Sequence, residues 1–346
     1  METDSPDNLA ALSAFAADIS ESHLTPLWDV MHELVRPQPA SGCVPWLWRF
    51  DEARQHLMKA GDLITAEQAE RRVLILENPG IRGQSRITTS LYAGLQLVMP
   101  GEIAPAHRHV QSALRFVLEG QGAHTTVEGE KTLMIYGDFV ITPNWLWHDH
   151  GNESDEPMIW LDGLDIPLVQ FLDASFAQRS EQKEQAVSLE SGLSDARFGS
   201  GLQPVDYEPL QAGASPIFSF PYERTREALE KLKQASQWDD CSGVKMKYTN
   251  PVTGDYAIPT IGTFIQLLPK GFQGKTYQTT DATIYVVVEG KGTTLLGDQA
   301  FQWQEKDIFV VPSWVTQSHI SHEDAVLFSF SDRPVQEKFG LWKEQR

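Results

Sequence analysis

The chain has 346 residues, 41% of them hydrophobic, which suits two domains or one large domain with a sizeable core. Its formal net charge of −19 argues against nucleic acid and anionic membrane surfaces as partners. It has two distant cysteines, no apolar run near the roughly 20 residues that span a bilayer, and an acidic, polar N-terminus unlike a signal peptide; these features predict a soluble cytoplasmic protein.

The first quarter of the chain is predicted to be mainly helical. Apolar residues recur at helical spacing over 9–34, and a second helix is predicted over 50–61. The pattern Thr65-x-x-Gln68 is typical of the capping box that begins a helix. The apolar run 73–76 predicts a buried strand.

From Thr88 onward, short strands separated by turns predict an antiparallel barrel. A polar, turn-rich stretch and a helix over 225–236 follow, and strands return at Val244. The predicted organisation is an N-terminal helical arm (1–75), a first barrel (76–172), a linker with a helix (173–245) and a second barrel (246–346).

The stretch from Pro100 to Asn152 carries the clearest chemical pattern. His107 and His109 stand two apart, and residues i and i+2 of a strand point to the same face. Glycines punctuate the following segment, so that an antiparallel hairpin system can return His148 to the first pair. Three neutral imidazoles can bind one divalent metal and leave coordination positions open.

This pattern resembles the two motifs of the cupin family. The first, G-x5-H-x-H, runs from Gly101 to His109, and the second runs from Gly137 to Asn152. Many cupins also carry a glutamate a few residues after the second histidine, but here 113–115 read Ala-Leu-Arg. The predicted site therefore has three histidines and no carboxylate.

The second half of the chain repeats the first. Residues 116–122 (FVLEGQG) match 286–292 (VVVEGKG), and 137–145 match 306–314. Through this alignment the three histidines fall on a tyrosine, a threonine and a glutamine: Tyr277, Thr279 and Gln317. The repeated fold does not need the histidines, and the second copy is predicted to lack an equivalent metal site.

From about Trp28 to Trp342 the chain resembles bicupin ring-cleaving dioxygenases of the gentisate 1,2-dioxygenase family. The stretches that carry the resemblance are PAHRHVQSALRFVLEGQGAHTTVEGE, GDFVITPNWLWHDHGN and WLDGLDIP. The resemblance implies an all-β-dominated bicupin: two double-stranded β-helix (jelly-roll) barrels with N-terminal and linker helices. It also implies one Fe(II) per chain, held in the first barrel by His107, His109 and His148, and a homotetramer. Such enzymes use O2 to open gentisate (2,5-dihydroxybenzoate) to maleylpyruvate.

An arginine is predicted to bind the carboxylate of such a substrate. Arg115 has the strand parity of the histidine pair, and a guanidinium inside a barrel needs an anion. A salt bridge at the strand end is the alternative interpretation. The resemblance adds a second arginine, Arg71 or Arg72, with Arg71 preferred and a solvated helix end as the alternative.

The resemblance also places Tyr92, Gly94 and Gln96 on the pocket wall, where Gly94 leaves room for the substrate ring. Relatives that accept salicylate tend to carry tryptophan at position 92, so the tyrosine favours gentisate. Core packing is the alternative role for Tyr92.

Two further residues are predicted to be catalytic. His150 shares the parity of His148 and can exchange a proton with a substrate hydroxyl near neutral pH. By resemblance, Asp162 is the carboxylate partner that fixes the tautomer of His150. A spare surface imidazole and a turn residue are the alternatives.

Other functions stay open at this point. Salicylate or 1-hydroxy-2-naphthoate could be the substrate, or the chain could be a non-dioxygenase metal cupin, either an isomerase or a small-ligand binding protein. The missing motif glutamate argues against an isomerase, and the acidic charge argues against a DNA-binding sensor. A degenerate, purely structural bicupin is disfavoured by the intact histidine set. Uptake of O2 with an aromatic 2-hydroxy acid would separate these classes.

Overall fold

The computed structural model describes residues 6–208, 213–235 and 238–346. Residues up to Ala40 form one compact unit and residues from Ser41 to Arg346 form another. The α-helices of the described ranges are α1 (Pro6–Glu21), α2 (Leu27–Leu34), α3 (Phe50–Leu63), α4 (Ala66–Ala69), α5 (Ile166–Phe171), α6 (Leu193–Phe198), α7 (Tyr222–Gln234) and α8 (Arg333–Lys338), and a short 3-10 helix spans Pro79–Ile81. None of these helices is both long enough and apolar enough to cross a membrane.

The strands follow the predicted pattern of short, closely spaced segments. In the first half they are β1 (Trp46–Trp48), β2 (Arg72–Ile75), β3 (Tyr92–Val98), β4 (Ile103–His109), β5 (Ala113–Glu119), β6 (Gln121–Val127), β7 (Glu130–Ile135), β8 (Phe139–Thr142), β9 (His148–Asn152), β10 (Met158–Leu164) and β11 (Ala177–Arg179). In the second half they are β12 (Ser219–Phe220), β13 (Val244–Lys247), β14 (Gly262–Leu268), β15 (Gln278–Thr279), β16 (Thr283–Glu289), β17 (Gly292–Leu296), β18 (Gln299–Trp303), β19 (Ile308–Val311), β20 (Gln317–Ser321), β21 (Ala325–Ser331) and β22 (Glu344–Gln345).

The N-terminal unit contains the predicted helical segment 9–34 as two helices rather than one. His23 adopts a left-handed backbone conformation (φ 56°) after the end of α1, and Pro26 precedes α2. A proline fixes its own φ and favours an extended residue before it, so it separates the two helices. Neither helix contains a buried residue.

Two antiparallel barrels make up the second unit, which confirms the predicted bicupin fold. The first barrel consists of a six-stranded sheet in the order β12-β8-β5-β10-β3-β2 and a five-stranded sheet in the order β11-β4-β9-β6-β7. The second consists of a six-stranded sheet in the order β1-β19-β16-β21-β14-β13, a three-stranded sheet β18-β17-β20 and the pair β15-β22.

Each repeat contributes its first strand to the barrel of the other repeat. Strand β1 pairs with β19, with Trp46 opposite Val310, and β12 pairs with β8, with Ser219 opposite Val140. A helix follows each exchanged strand, and an aspartate of the receiving barrel binds its first backbone N–H. The two bonds, each 3.0 Å long, run from Phe50 N to Asp307 Oδ1 for α3 and from Tyr222 N to Asp138 Oδ1 for α7. A carboxylate at a helix N-terminus satisfies an otherwise free donor and opposes the helix dipole.

The two six-stranded sheets pack against each other and form the main apolar core. The rings of Phe116 and Phe328 stack across this contact with centroids 4.3 Å apart. Leu114, Phe116 and Leu118 of β5 belong to this core, so the residues between them point into their own barrel. Burying such a side chain contributes about 1.5–3 kcal/mol, so packing between the barrels fixes which face of β5 lines the first barrel.

The predicted helix over 225–236 is found as α7, with residue 236 outside the described residues. The predicted boundaries of the arm, barrels and linker stay a prediction, and β2 and β13 each join the barrel that follows them.

Candidate active site

Strand parity and one strand pairing bring three histidines together in the first barrel. His107 and His109 lie at the end of β4, and His148 begins β9 directly opposite His107. The ring centroids of His148 lie 4.1 Å from those of His107 and 4.8 Å from those of His109. One ligand nitrogen from each ring lies within 4.8 Å of the others. No second such group of three or more His, Cys, Asp or Glu side chains occurs within the described ranges.

Backbone carbonyls fix the tautomer of all three rings. Each Nδ1 lies within hydrogen-bond distance of a carbonyl oxygen, so Nδ1 carries the proton and Nε2 keeps its lone pair. The acceptors are Pro105 O for His107 (2.9 Å), Gln111 O for His109 (2.7 Å) and Leu146 O for His148 (2.9 Å). Nε2 of His148 is buried without a hydrogen-bond partner, an acceptor that a bound cation would satisfy. The cluster therefore fits a metal ion.

Burial keeps the cluster neutral. Loss of solvation lowers the pKa of His107 to about 2 and that of His109 to about 4, and nearby arginines add to the effect. Burial also lowers the pKa of His148 well below its usual value. Neutral imidazole is the form that binds metal, so protons do not compete for these rings near neutral pH.

Arg115 points into the same barrel interior, as its parity predicts. Its Nη1 donates to Thr142 Oγ1 at 2.6 Å, and its Nη2 donates to Nε2 of His150 at 2.8 Å. Its Nε is buried without a hydrogen bond and lies 3.5 Å from a carboxylate oxygen of Asp162. Burial lowers the pKa of Arg115 to about 10, so the guanidinium remains charged at neutral pH.

His150 is fully buried beside the cluster, with its ring centroid 5.6 Å from that of His148. Because Arg115 donates to Nε2, the proton of His150 is on Nδ1, which donates to Thr125 Oγ1 at 3.0 Å. Burial lowers the pKa of His150 well below its usual value. The expected direct pairing with Asp162 is wrong, because Thr125 and Arg115 occupy both ring nitrogens.

Asp162 instead lies behind Arg115. On β10 it is in register with both Arg115 and Gly94, and it accepts a hydrogen bond from Trp160 Nε1 at 3.0 Å. Burial raises the pKa of Asp162 to about 6, against the opposing effect of Arg115 and Arg71. At neutral pH the carboxylate is ionised and balances one of the two guanidinium charges.

Of the two adjacent arginines, Arg71 reaches the cluster. Its Nη2 lies 2.7 Å from Nδ1 of His107 and also contacts Nε2, where it can donate to the free lone pair. Burial lowers the pKa of Arg71. Arg72 turns away and forms a double hydrogen bond with Glu102, at 2.8 and 2.9 Å.

The three predicted wall residues lie on one face of β3. Tyr92 is partly buried near Asp162 and Arg71, and burial raises its pKa. Gln96 is buried opposite Trp160. A Cβ at Gly94 would lie 2.5 Å from Cγ1 of Val73 and 2.9 Å from the Tyr92 hydroxyl, so this glycine makes room for neighbouring side chains of the protein.

The second barrel confirms the alignment of the repeat. Tyr277 and Gln317 are paired through an antiparallel β-bridge, just as His107 and His148 are paired across β4 and β9. In the first barrel the backbone N–H of Trp145 donates to His109 O at 2.8 Å, and in the second the N–H of Trp314 donates to Thr279 O at 2.7 Å. Both tryptophans have φ above 60°. The backbone frame of the site is thus retained where the histidines are not.

Sequence reasoning missed two threonines of the first site. Thr142 and Thr125 hold Arg115 and His150 in place. The repeat carried a signal for Thr125, because Thr294 makes the same contact with His319 Nδ1 at 2.8 Å in the second barrel. A threonine retained in both copies beside a histidine marks a positioning contact.

Residues 94–164 match the family model for the cupin domain. A gentisate 1,2-dioxygenase from Aquipseudomonas alcaligenes is 58% identical over 328 residues, 94% of each chain. A 5-aminosalicylate 1,2-dioxygenase from a Comamonas species is 34% identical, covering 98% of this chain and 92% of that protein. Among solved structures, a tryptophan-to-tyrosine mutant of salicylate 1,2-dioxygenase from Pseudoaminobacter salicylatoxidans in complex with gentisate is 33% identical. It aligns with a TM-score of 0.92 over 100% of this chain and 96% of that chain.

Two jelly-roll barrels, one with a buried three-histidine cluster that could hold a metal ion, define a bicupin. The sequence identity and the coverage of the matches then identify the family to which the chain belongs. The chain belongs to the gentisate 1,2-dioxygenase family, and it is a ring-cleaving dioxygenase.

Proposed function

We propose that this enzyme cleaves gentisate with O2 to give maleylpyruvate, using one Fe(II) per chain held by His107, His109 and His148. The 58% identity to a gentisate 1,2-dioxygenase supports this substrate, and so does tyrosine at position 92. Salicylate and 1-hydroxy-2-naphthoate are the alternative substrates that the family suggests.

The charge of the site is the observation that carries the proposal. Arg71 and Arg115 both face a cluster of neutral imidazoles, and Asp162 is the carboxylate that acts on both of them. A divalent cation on the three histidines would bring the local excess to about +3. Burying charge without a counter-ion is unfavourable in free energy, so this site favours the binding of an anionic substrate. An aromatic 2-hydroxy acid supplies a carboxylate and an adjacent hydroxyl.

When bound to His107, His109 and His148, Fe(II) would supply a Lewis acid for anionic oxygen donors and redox chemistry toward O2. Arg115 then binds the substrate carboxylate through charge-assisted hydrogen bonds. As Arg115 turns to that carboxylate, it releases Nε2 of His150, which accepts the hydrogen bond of a substrate hydroxyl. Thr125 keeps the opposite nitrogen protonated throughout.

Tyr92, Gly94 and Gln96 form the wall against which the ring lies. Arg71 completes the positive side of the pocket and leaves Nε2 of His107 when that lone pair binds metal, since one lone pair cannot serve both partners. Asp162 holds Arg115 from behind as a positioning residue.

The enzyme is further proposed to be cytoplasmic and homotetrameric. Large apolar side chains of the N-terminal unit, among them Leu12, Phe15 and Trp28, are exposed and suit burial against other subunits. Light scattering during gel filtration would measure the subunit number. The division into a helical arm, first barrel, linker and second barrel is part of the same proposal.

The decisive experiment is anaerobic loading with Fe(II) followed by measurement of O2 uptake. Gentisate, salicylate and 1-hydroxy-2-naphthoate serve as parallel substrates, and product analysis after exposure to 18O2 follows both oxygen atoms. We expect the highest kcat/KM with gentisate and both atoms in maleylpyruvate. Failure to consume O2 with all three substrates would instead favour a non-dioxygenase metal cupin, an isomerase or a small-ligand binding protein.

A further inference from the structure

The second barrel has a cavity of about 740 Å3 that opens to solvent, within the roughly 300–1,000 Å3 typical of small-molecule sites. Tyr277, Thr279 and Gln317 line it, and these residues stand where the first barrel has its histidines. The cavity is therefore the counterpart of the active site, in a barrel whose described residues contain no metal-binding cluster.

Two lysines from one strand line this cavity, Lys245 half-buried and Lys247 exposed. Lys245 and Lys247 of β13 share a face, and both line the cavity. Nζ of Lys245 lies 5.1 Å from the ring centroid of Phe264 and 5.8 Å from that of Tyr285. Nζ of Lys247 lies 4.7 Å from the ring of Tyr256. Within the part of the chain that the structure describes, neither lysine forms an ion pair with a carboxylate.

The other charged groups of the cavity wall are already engaged. Arg333 pairs with Glu337 at 2.7 Å, and Arg346 pairs with Asp239 at 2.5 Å and with Glu344 at 3.1 Å. Asp281 accepts a hydrogen bond from Trp342 Nε1 at 2.8 Å. Burial lowers the pKa of Lys245 to about 8, and Asp281 opposes that effect, so the ammonium is largely retained at neutral pH. Taken together, the cavity wall carries four cationic and four carboxylate side chains, so its formal charge is zero. Lys245 and Lys247 are the two cations among them that form no ion pair within the described residues.

Polar atoms without hydrogen-bond partners lie on the strands next to the half-buried Lys245. Gln266 is directly opposite Lys245 in the β13–β14 pair, is fully buried, and has no hydrogen-bond partner for either side-chain amide atom. Ser329 of β21, opposite both Phe264 and Tyr285, has a buried hydroxyl that is also unpartnered. Neither side chain lines the cavity, so these free atoms show only that the barrel interior beside Lys245 is incompletely satisfied.

We propose that the second barrel is a metal-free binding site for a small aromatic carboxylate. Its carboxylate binds Nζ of Lys245, and its ring packs against Phe264 and Tyr285. A carboxylate complements a lysine that has no ion-pair partner, and the aromatic wall favours a flat apolar body over a fully hydrated inorganic ion. All of these residues belong to the second barrel, so the inference does not depend on the proposed reaction of the first.

The test is equilibrium dialysis of the full-length protein with radiolabelled benzoate, which lacks the ortho-hydroxyl of a chelating substrate. Binding is compared in the wild type, Lys245→Met and Arg115→Met. We expect a benzoate site that survives Arg115→Met and weakens at least tenfold in Lys245→Met. Binding that is unchanged in Lys245→Met, or that disappears entirely in Arg115→Met, would overturn the proposal.

Additional variants and ligands test whether benzoate binding is specific to this site. Lys270→Met, which changes an exposed lysine of the same barrel, should bind benzoate as the wild type does, and Lys245→Arg should retain binding within about threefold. Phosphate and acetate should bind at least tenfold more weakly than benzoate, and equal affinity for phosphate would contradict the aromatic class. Should Lys245→Met fail to fold, benzoate must slow amine-directed labelling of Lys245 in the wild type, measured by mass spectrometry. Unchanged labelling would refute the site.

Discussion

Arg115 donates a hydrogen bond to Nε2 of His150 at 2.8 Å, so the two residues proposed to handle substrate are each other's partners before substrate arrives. A carboxylate that attracts Arg115 frees the acceptor nitrogen of His150 at the same moment. Binding of the acid group and readiness of the imidazole are therefore coupled through one hydrogen bond.

Replacing His150 tests its proposed role. His150→Ala should retain bound metal, because the ring is not part of the cluster, but should lower kcat by about 10²–10⁴-fold, as for acid–base residues. Thr125→Val removes the oxygen that holds Nδ1 and should have a smaller effect in the same direction. Metal analysis and steady-state O2 uptake are the measurements. Full activity in His150→Ala would remove the residue from the mechanism.

Arg115→Ala should keep the metal but lose substrate binding. Loss of a charge-assisted pair in a dry pocket should cost about 2–5 kcal/mol in kcat/KM. Part of that cost arises at Asp162, whose buried carboxylate would lose the neighbouring positive charge of Arg115. Arg82→Ala, at a side chain that is 75% exposed, is the control and should leave kcat/KM unchanged. An Arg115→Ala enzyme with wild-type kcat/KM would make Arg115 a structural residue.

The stoichiometry of the metal follows from the single cluster. His107→Ala and His148→Ala should each lose nearly all bound metal, since two imidazoles remain of three. His322→Ala, at an exposed histidine of the second barrel, should bind as much metal as the wild type. Elemental analysis of dialysed protein gives the count. Two tightly bound ions per wild-type chain would contradict the assignment.

Metal affinity should depend weakly on pH above about pH 5. An exposed histidine with an ordinary pKa near 6.5 is increasingly protonated below that pH, and each protonated ligand must lose its proton to bind. Burial lowers the pKa of His109 to about 4 and that of His107 to about 2, so proton competition begins only near pH 4. Anaerobic Fe(II) titrations against a chelator should give similar dissociation constants at pH 7.5 and pH 5.5. A steep loss of affinity below pH 7 would show that the rings are solvated.

Gly94→Ala should destabilise the first barrel by about 1–3 kcal/mol, the usual cost of overpacking. The added methyl meets Val73 Cγ1 at 2.5 Å and the Tyr92 hydroxyl at 2.9 Å, so one of them must move. Urea denaturation of the metal-free protein measures the change. The double variant Gly94→Ala/Val73→Ala, in which the methyl has space, should recover much of the loss. No recovery would mean that displacement of Tyr92, not of Val73, sets the cost.

Local periodicity was sufficient for much of the site. Side chains alternate along a strand, so the spacing of His107, His109 and His148, and the parity of Arg115 and His150, placed all five in one interior. The repeat added a control, because a second copy of the backbone without histidines separates ligands from scaffold. These inferences needed only neighbours in sequence and one internal comparison.

Partners from distant strands could not be predicted in this way. Asp162 was expected beside His150, but its register on β10 places it against Arg115. Strand β1 was not predicted from the sequence, since no local pattern shows that Trp46 pairs with Val310. Such contacts depend on the order of strands in the finished sheet, which periodicity does not encode.

The exchange of β1 and β12 between the repeats has a consequence for biosynthesis. Trp46 leaves the ribosome 264 residues before Val310, its partner in the second barrel. At a synthesis rate of roughly 5–20 residues per second, the apolar segment Trp46–Trp48 remains without its partner strand β19 for about 13–53 seconds. The first barrel, in turn, lacks β12 until residue 220 has emerged. Termination before Ser219 should therefore leave β8 without β12 and β1 without β19, so such a truncated chain exposes unpaired strands and is prone to aggregation.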